Sequence, residues 1–125
     1  MPKKVLIAED EHNILLSLEF LMRNDGYDVR IATRGDGVLS CIRDFLPDLI
    51  LLDVMLPGRN GFALCRDIRA NSGWINMKII MLSARGREAE MQRGLDAGAD
   101  AYVTKPFSTS ELRELVRGLI DGGRE

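Results

Sequence analysis

The sequence predicts an α/β fold in which helices cover both faces of a parallel sheet. The chain has 125 residues, which is the usual size of one domain. Five short apolar segments alternate along it with five segments of helical spacing. Most of the apolar segments lack the alternating polar residues of a half-exposed strand, so we expect strands that are buried on both faces.

The predicted strands are short apolar runs, most of which end at a charged or hydroxyl residue. They cover residues 5–8, 27–32, 49–52, 79–82 and 101–103. The second run alternates, with Val29 and Ile31 on one face, so we expect it nearer an edge of the sheet. Right-handed crossovers leave few topologies for such a chain.

The predicted helices carry apolar side chains three and four residues apart, as expected of one buried helix face. They fall within residues 14–22, 38–46, 62–68, 88–97 and 108–120. Gly26, Pro47 and Gly98 end three of them. Ser108 or Thr109 is a suitable cap for the last one.

Composition excludes several classes of protein. Hydrophobic residues make up 46% and charged residues 29%, which argues against disorder. The formal net charge of -2 gives no overall basic field for binding nucleic acid or an acidic membrane. The longest apolar run is residues 49–52, whereas a membrane-spanning helix needs about 20 residues. We see no signal peptide and expect a cytoplasmic protein, with one domain over residues 1–121 and a frayed tail or linker over 122–125.

Polar residues follow the carboxyl ends of four predicted strands. Glu9 and Asp10 follow the first, Asp53 follows the third, Ser83 the fourth, and Lys105 comes shortly after the fifth. In open α/β sheets the functional crevice lies beyond these strand ends, so we expect the five side chains to converge. Any one of them could be a solvated strand-end residue, but that interpretation is weak for all of them together.

Three carboxylates at one place repel each other and require positive charge. Lys105 supplies one positive charge, and a divalent cation would supply the rest. All the candidate ligands are oxygen atoms, which favours Mg²⁺ over Zn²⁺. Mg²⁺ bound by one or two carboxylates is typical of phosphoryl chemistry, in which an aspartate can act as the nucleophile.

The motifs at these strand ends resemble the receiver domain of two-component response regulators. The resemblance runs from Lys4 to about Ile120 and is carried by the segments 9–10, 51–57, 61, 83–85, 98–100 and 105–107. Each segment is a weak pattern alone, but their order and spacing together are highly specific. The resemblance implies a flavodoxin-like fold, with a five-stranded sheet in the order 2-1-3-4-5.

The resemblance also implies a role for each site residue. Asp53 is the expected phosphoacceptor, and the phosphoryl donor is a sensor histidine kinase or a phosphotransfer protein. Asp10, Asp53 and the Met55 backbone carbonyl are expected to bind Mg²⁺, with Glu9 acting through water. Such a domain is a signalling switch that catalyses only its own phosphorylation and slow autodephosphorylation.

The remaining implied roles concern the response to phosphorylation. Ser83 and Lys105 contact the phosphoryl group, and Tyr102 turns inward when Ser83 moves. Met55 and Arg85 occupy the positions that tune the dephosphorylation rate. The resemblance further suggests a cis peptide bond before Pro106.

The sequence leaves the output of the switch open. We expect the surface of the fourth helix, fifth strand and fifth helix to act on an unidentified output partner, without direct binding of this domain to nucleic acid or membrane. A phosphorylation-dependent homodimer is left open. The alternative from another class is a Mg²⁺-dependent phosphatase-like enzyme that also forms an aspartyl phosphate. The tripeptide of residues 9–11 disfavours this enzyme, because it places glutamates on both sides of Asp10 where such phosphatases use Asp-x-Asp.

Overall fold

The computed structural model describes residues 2–84 and 88–122, and its core is a parallel sheet of five strands. The strands are β1 (Lys4–Ala8), β2 (Asp28–Ala32), β3 (Leu49–Asp53), β4 (Lys78–Ser83) and β5 (Ala101–Thr104). Their order across the sheet is β2-β1-β3-β4-β5. The helices are α1 (His12–Asn24), α2 (Val38–Phe45), α3 (Gly61–Ala70), α4 (Glu88–Asp96) and α5 (Thr109–Gly122). The predicted doubly wound, flavodoxin-like fold with this strand order is confirmed.

Alternate residues of the central strands enter two separate hydrophobic cores. Leu49 and Leu51 of β3 lie in the core beneath α1 and α5, with Leu18 and Val116 from these helices. The neighbouring residues of β3 lie in the opposite core, which includes residues of α2 and α3 such as Ile42, Phe45, Phe62 and Ile68. All five residues of β3 are buried. Because successive side chains of a strand point to opposite faces and both faces of β3 are covered, every residue of β3 before Asp53 is apolar.

The boundaries of two predicted elements need correction. Tyr27 precedes β2, which begins at Asp28. Leu46 was expected to belong to the apolar face of the second helix, but it is 59% exposed. It caps α2 in the left-handed conformation, with φ of 53°. The helix thus ends one residue earlier than the apolar pattern indicates, because the chain already turns toward Pro47 and β3.

Two short 3₁₀ helices were not predicted, Gly35–Gly37 before α2 and Ser72–Trp74 after α3. Of the predicted tail over residues 122–125, Gly122 is the last residue of α5, and residues 123–125 lie outside the described residues. Within the described residues, no helix combines the length and apolar character needed to span a membrane.

Candidate functional site

The acidic residues meet because β1 and β3 are parallel neighbours in register. Ala8 pairs with Leu52, so the residues that follow them, Glu9 and Asp53, come at the same level of the sheet. Glu9, Asp10 and Asp53 each offer one carboxylate oxygen, and these three oxygens lie within 4.8 Å of one another. Glu9 and Asp53 are buried, whereas Asp10 is exposed. The structure thus forms the cluster expected at this edge of the sheet, with an open side at Asp10.

Lys105 brings the positive charge to the cluster from the end of β5. Its Nζ lies 3.0 Å from Glu9 Oε1 and 3.5 Å from Asp53 Oδ1. Its backbone N–H donates to the Ser83 carbonyl at 2.7 Å, which anchors the residue just beyond the sheet. The Lys105–Pro106 peptide bond is cis. The side chain is largely buried, so its ammonium acts in a poorly solvated environment.

The buried Glu9 is only partly satisfied by its neighbours. Its Oε2 accepts a hydrogen bond from the Glu11 N–H at 3.0 Å. Its Oε1 forms the ion pair with Lys105 Nζ at 3.0 Å, and apart from that ammonium no donor in the described part of the chain makes a hydrogen bond to it. Burial raises the pKa of the Glu9 carboxyl, and the nearby Asp53 charge raises it further, while the Glu11 N–H and Lys105 oppose the rise. A cation beside this oxygen would favour the ionised form.

This arrangement fits a Mg²⁺ ion. The donor set is entirely oxygen, and it includes the buried Glu9 Oε1, which has no hydrogen-bond donor among the described residues apart from the Lys105 ammonium. Hard divalent cations prefer such ligands, and Mg²⁺ usually takes one or two carboxylates and keeps several waters. The exposed position of Asp10 leaves the cluster accessible from solvent.

The loop after β3 is held by backbone hydrogen bonds at both ends. Val54 N–H donates to the Leu82 carbonyl at 2.9 Å, and Gly61 N–H donates to the Val54 carbonyl at 2.8 Å. Asp53 Oδ1 accepts the Met55 N–H at 3.1 Å, while the Met55 residue is 68% exposed. The loop therefore keeps the Met55 backbone beside Asp53 and points its side chain toward solvent.

Gly61 has a structural role that the motif alone does not reveal. A Cβ atom there would lie 2.7 Å from the Asp53 carbonyl oxygen and 2.8 Å from Val54 Cα. The first turn of α3 therefore packs directly on the backbone of the central aspartate. Asn60 caps this helix by accepting the Ala63 N–H at 2.9 Å. Asparagine is a common N-cap residue, so the start of α3 is visible in the sequence, whereas the close approach of Gly61 to Asp53 is not.

Ser83 and Tyr102 lie on the neighbouring strands β4 and β5. Ser83 is buried at the end of β4 and pairs in register with Thr104 of β5. A cavity of about 130 Å³ lies beside it, lined in part by Met55, Asn60 and Arg93. Tyr102 is half-buried and packs against the core on the α2 and α3 side. Ser83 thus lies at the carboxyl end of the sheet, and Tyr102 lies two residues before the end of β5.

The structure brings together the predicted Glu9, Asp10, Asp53 and Lys105 in one acidic site, with Met55 beside Asp53. The sequence did not indicate that Lys105 would lie nearer to Glu9 than to Asp53. Spacing reveals which strand ends meet, but the choice between two adjacent carboxylates depends on side-chain conformation. Arg85, predicted to tune the dephosphorylation rate, lies outside the described residues.

Comparison with known proteins assigns the chain to one family. Residues 5–117 match the family model for the response regulator receiver domain. A candidate response regulator from Chloroflexus aurantiacus J-10-fl is 36% identical, with a TM-score of 0.91, 96% of this chain covered and 98% of that chain. The beryllofluoride-activated N-terminal receiver domain of RstA from Klebsiella pneumoniae is 31% identical, with a TM-score of 0.86 and coverage of 95% and 99%.

A third structure bears on the acidic cluster. The receiver domain of sensor histidine kinase PA1611 from Pseudomonas aeruginosa PAO1, with a magnesium ion coordinated in its active site cleft, is 28% identical. Its TM-score is 0.87, with 96% of this chain and 98% of that chain covered. Receiver domains are signalling switches of two-component systems. The strand order, the acidic cluster and the match over residues 5–117 show that this chain belongs to the response regulator receiver domain family.

Proposed function

We propose that this domain is a phosphoacceptor switch in which Asp53 accepts a phosphoryl group from a phosphohistidine on a sensor histidine kinase or phosphotransfer protein. The observation that carries the proposal is the meeting of Glu9, Asp10 and Asp53 with Lys105 at one sheet edge. Asp53 ends the fully buried central strand and has a cation 3.5 Å from its Oδ1. A strand buried on both faces has no packing reason to end in a carboxylate.

Asp10, Asp53 and the Met55 backbone carbonyl would hold Mg²⁺, with Glu9 supporting the ion through water. The ion would neutralise negative charge on the phosphoryl oxygens and on the carboxylates around it. Glu9 is suited to an indirect role because it is fully buried and already paired with Lys105. Asp10, which is exposed, is suited to a direct one.

In the proposed transfer, a carboxylate oxygen of Asp53 attacks the phosphorus atom of the donor phosphohistidine. The new O–P bond forms as the P–N bond breaks, and the imidazole leaves with the electron pair. Lys105 Nζ, 3.0 Å from Glu9 and 3.5 Å from Asp53, would shift from the two carboxylates toward the incoming phosphoryl oxygens. The Ser83 hydroxyl would donate a hydrogen bond to the same group. Met55, exposed beside Asp53, and Arg85 would tune how fast water removes the phosphoryl group.

Phosphorylation adds a charge of about -1.5 to -2 and three acceptor oxygens at Asp53. Ser83 would move toward the phosphoryl group, and Tyr102 would then turn inward. Tyr102 lies on the adjacent strand, against α4. The β5 and α5 part of the proposed output surface carries a cavity of about 300 Å³, lined in part by Tyr102, Phe107 and Leu115. A movement of Tyr102 would change the shape of this cavity.

The free energy of the switch limits what the domain does alone. Moving a two-state equilibrium from 1:99 to 99:1 needs about 5.5 kcal/mol of differential interaction. One or two charge-assisted hydrogen bonds contribute about 1.5–3 kcal/mol each, so phosphorylation shifts the equilibrium and a partner completes the shift. The partner is an unidentified output protein or domain, or a second copy of this chain. The proposal includes a cytoplasmic location, no direct contact with nucleic acid or membrane, and no catalysis beyond the domain's own phosphorylation and slow autodephosphorylation.

Acetyl phosphate labelling tests the proposal. With Mg²⁺, the intact mass should rise by one phosphoryl group, and Asp53→Asn should abolish the rise, whereas the matched Asp48→Asn, at the opposite end of the sheet, should retain it. Phosphate release should be slow and limited by autodephosphorylation. Rapid release of many phosphates per chain would instead support the phosphatase-like enzyme, and equal labelling of Asp53→Asn would refute the phosphoacceptor assignment.

A further inference from the structure

The end of β2 and the turn that follows it make backbone hydrogen bonds to Glu9 and to the loop after β3. The Ala32 carbonyl accepts the Glu9 N–H at 3.1 Å. Three residues later, the Gly35 N–H donates to the Pro57 carbonyl at 2.7 Å. Glu9 directly precedes Asp10, and Pro57 follows Met55 by two residues. Residues 32–35 therefore connect the two segments that would supply Mg²⁺ ligands from β1 and from the loop after β3.

The contact at Gly35 leaves no room for a side chain. A Cβ atom there would lie 2.5 Å from the carbonyl oxygen of Arg59 and 2.8 Å from its backbone nitrogen. These are backbone atoms, and the Arg59 side chain forms an ion pair with Asp67 of α3. The φ of Gly35 lies outside the left-handed region. Glycine is therefore needed here because of the close approach of two loops and not because of its backbone conformation.

We propose that Gly35 is a positioning residue for Mg²⁺. Because it has no side chain, Gly35 lets the loop of residues 57–59 pack against residues 34–37, and this packing sets the separation between Asp10 and the Met55 carbonyl. This inference rests on the proposed function, since it concerns the Mg²⁺ ligands named there. Gly35 touches no ligand atom itself. It acts through the hydrogen bond to Pro57, on the loop that carries Met55.

The size of the expected displacement indicates which ions should be affected. Raising the shortest separation from 2.5 Å to the 3.4 Å of an ordinary contact requires a movement of about 0.9 Å, the difference of the two distances. Mg²⁺ requires near-octahedral ligands at about 2.0–2.1 Å, whereas Ca²⁺ accepts flexible geometry at about 2.3–2.6 Å. A wider site should therefore lose Mg²⁺ affinity more than Ca²⁺ affinity.

Calorimetric titration of Mg²⁺ and of Ca²⁺ into Gly35→Ala tests this inference. Mg²⁺ affinity should fall about 10-fold, as for other residues that orient metal ligands, and the ratio of Mg²⁺ to Ca²⁺ affinity should fall with it. Gly37→Ala is the matched control, because it lies in the same 3₁₀ helix and a Cβ there meets no atom within 4 Å. Its affinities should stay within about twofold of the original protein. Unchanged Mg²⁺ affinity in Gly35→Ala, an equal loss for both ions, or an equal loss in Gly37→Ala would overturn the inference.

A measurement on the unsubstituted protein is independent of how the variants fold. If the Gly35–Pro57 hydrogen bond favours Mg²⁺ binding, bound Mg²⁺ must stabilise that hydrogen bond by the same free energy. Amide hydrogen exchange at Gly35 should therefore slow when Mg²⁺ is added. Exchange at Gly37, whose N–H bonds locally to the Arg34 carbonyl, should change much less. Equal responses of the two amides would contradict the inference.

The same titrations separate this inference from the proposed function. If the unsubstituted protein bound no Mg²⁺, or bound it equally well after Asp10→Asn, the proposed metal site and this inference would both be wrong. If Asp10→Asn weakened Mg²⁺ binding but Gly35→Ala did not, only the positioning role of Gly35 would be wrong.

Discussion

Substituting Gly94 with alanine tests how closely α4 packs on the proposed switch residue. Gly94 is the buried residue of α4, and a Cβ there would lie 2.7 Å from Cδ2 of Tyr102 and 3.3 Å from Sδ of Met81. Carbon atoms in van der Waals contact are about 3.5–4.0 Å apart, so the added methyl group and the tyrosine ring overlap by roughly 1 Å. The ring therefore occupies the space that the missing side chain of Gly94 leaves.

Two opposing effects determine the expected stability. Replacing a glycine within a helix by alanine stabilises it by about 1 kcal/mol. Overpacking of a core contact costs about 1–3 kcal/mol. Gly118 in α5 provides the control, because a Cβ there meets no atom within 4 Å. We expect Gly118→Ala to raise the free energy of unfolding by about 1 kcal/mol, and Gly94→Ala to leave it unchanged or lower it by up to about 2 kcal/mol.

Urea denaturation of the two variants and of a double-mutant cycle with Tyr102→Ala measures the contact. In the Tyr102→Ala background the overlap is removed, so Gly94→Ala should now stabilise the protein by an amount similar to Gly118→Ala. Equal stabilisation by Gly94→Ala and Gly118→Ala in the otherwise unchanged protein would refute the reasoning. An additive cycle would also refute it.

Three further predictions concern charge and burial. Asp10→Asn should raise the thermal stability of the metal-free protein, because one repelling carboxylate is removed. It should also weaken Mg²⁺ binding at least about 10-fold, as measured by titration. A lower thermal stability of the metal-free variant would contradict this. Arg113 donates two hydrogen bonds to Asp25, at 2.9 and 2.6 Å, and lowers the pKa of that carboxyl. Asp25→Asn should therefore lower the free energy of unfolding by about 1 kcal/mol at pH 7. Urea denaturation should show this difference disappearing as the pH falls below about 4 and the Asp25 carboxylate becomes protonated. A difference that is constant with pH would exclude the ion pair as its cause. Burial raises the pKa of the Cys65 thiol to about 11, while Cys41 is only partly buried. Iodoacetamide at pH 8 should therefore label Cys41 and leave Cys65 unlabelled until the protein is unfolded. Labelling of both thiols in the folded protein would contradict this prediction.

The parallel sheet was predictable because its central strands are apolar on both faces. In β3, four apolar residues precede Asp53, and the whole strand is buried. Since parallel strands end at the same edge, the spacing of the strands already places Glu9, Asp10 and Asp53 together. Fold and acidic cluster thus follow from short-range patterns that repeat along the chain.

The parts that were not predictable depend on contacts between segments distant in sequence. Nothing in the local sequence indicates that Gly35 lies against the backbone of Arg59, or Gly94 against Tyr102. A glycine in a loop or helix is equally consistent with a turn or with chance. The end of α2 at Phe45 was likewise missed, since Leu46 is apolar and at the right spacing for the helix face, although the chain leaves the helix there.

Locating the modified residue tests the assignment of Asp53 most directly. After treatment with acetyl phosphate and Mg²⁺, borohydride reduction converts an aspartyl phosphate to homoserine, and peptide mass spectrometry identifies its position. We predict one modified residue, Asp53, and no modification when Mg²⁺ is removed by a chelator. Modification of Glu9, Asp10 or another carboxylate in place of Asp53, or labelling that does not depend on Mg²⁺, would contradict the proposed phosphoacceptor site.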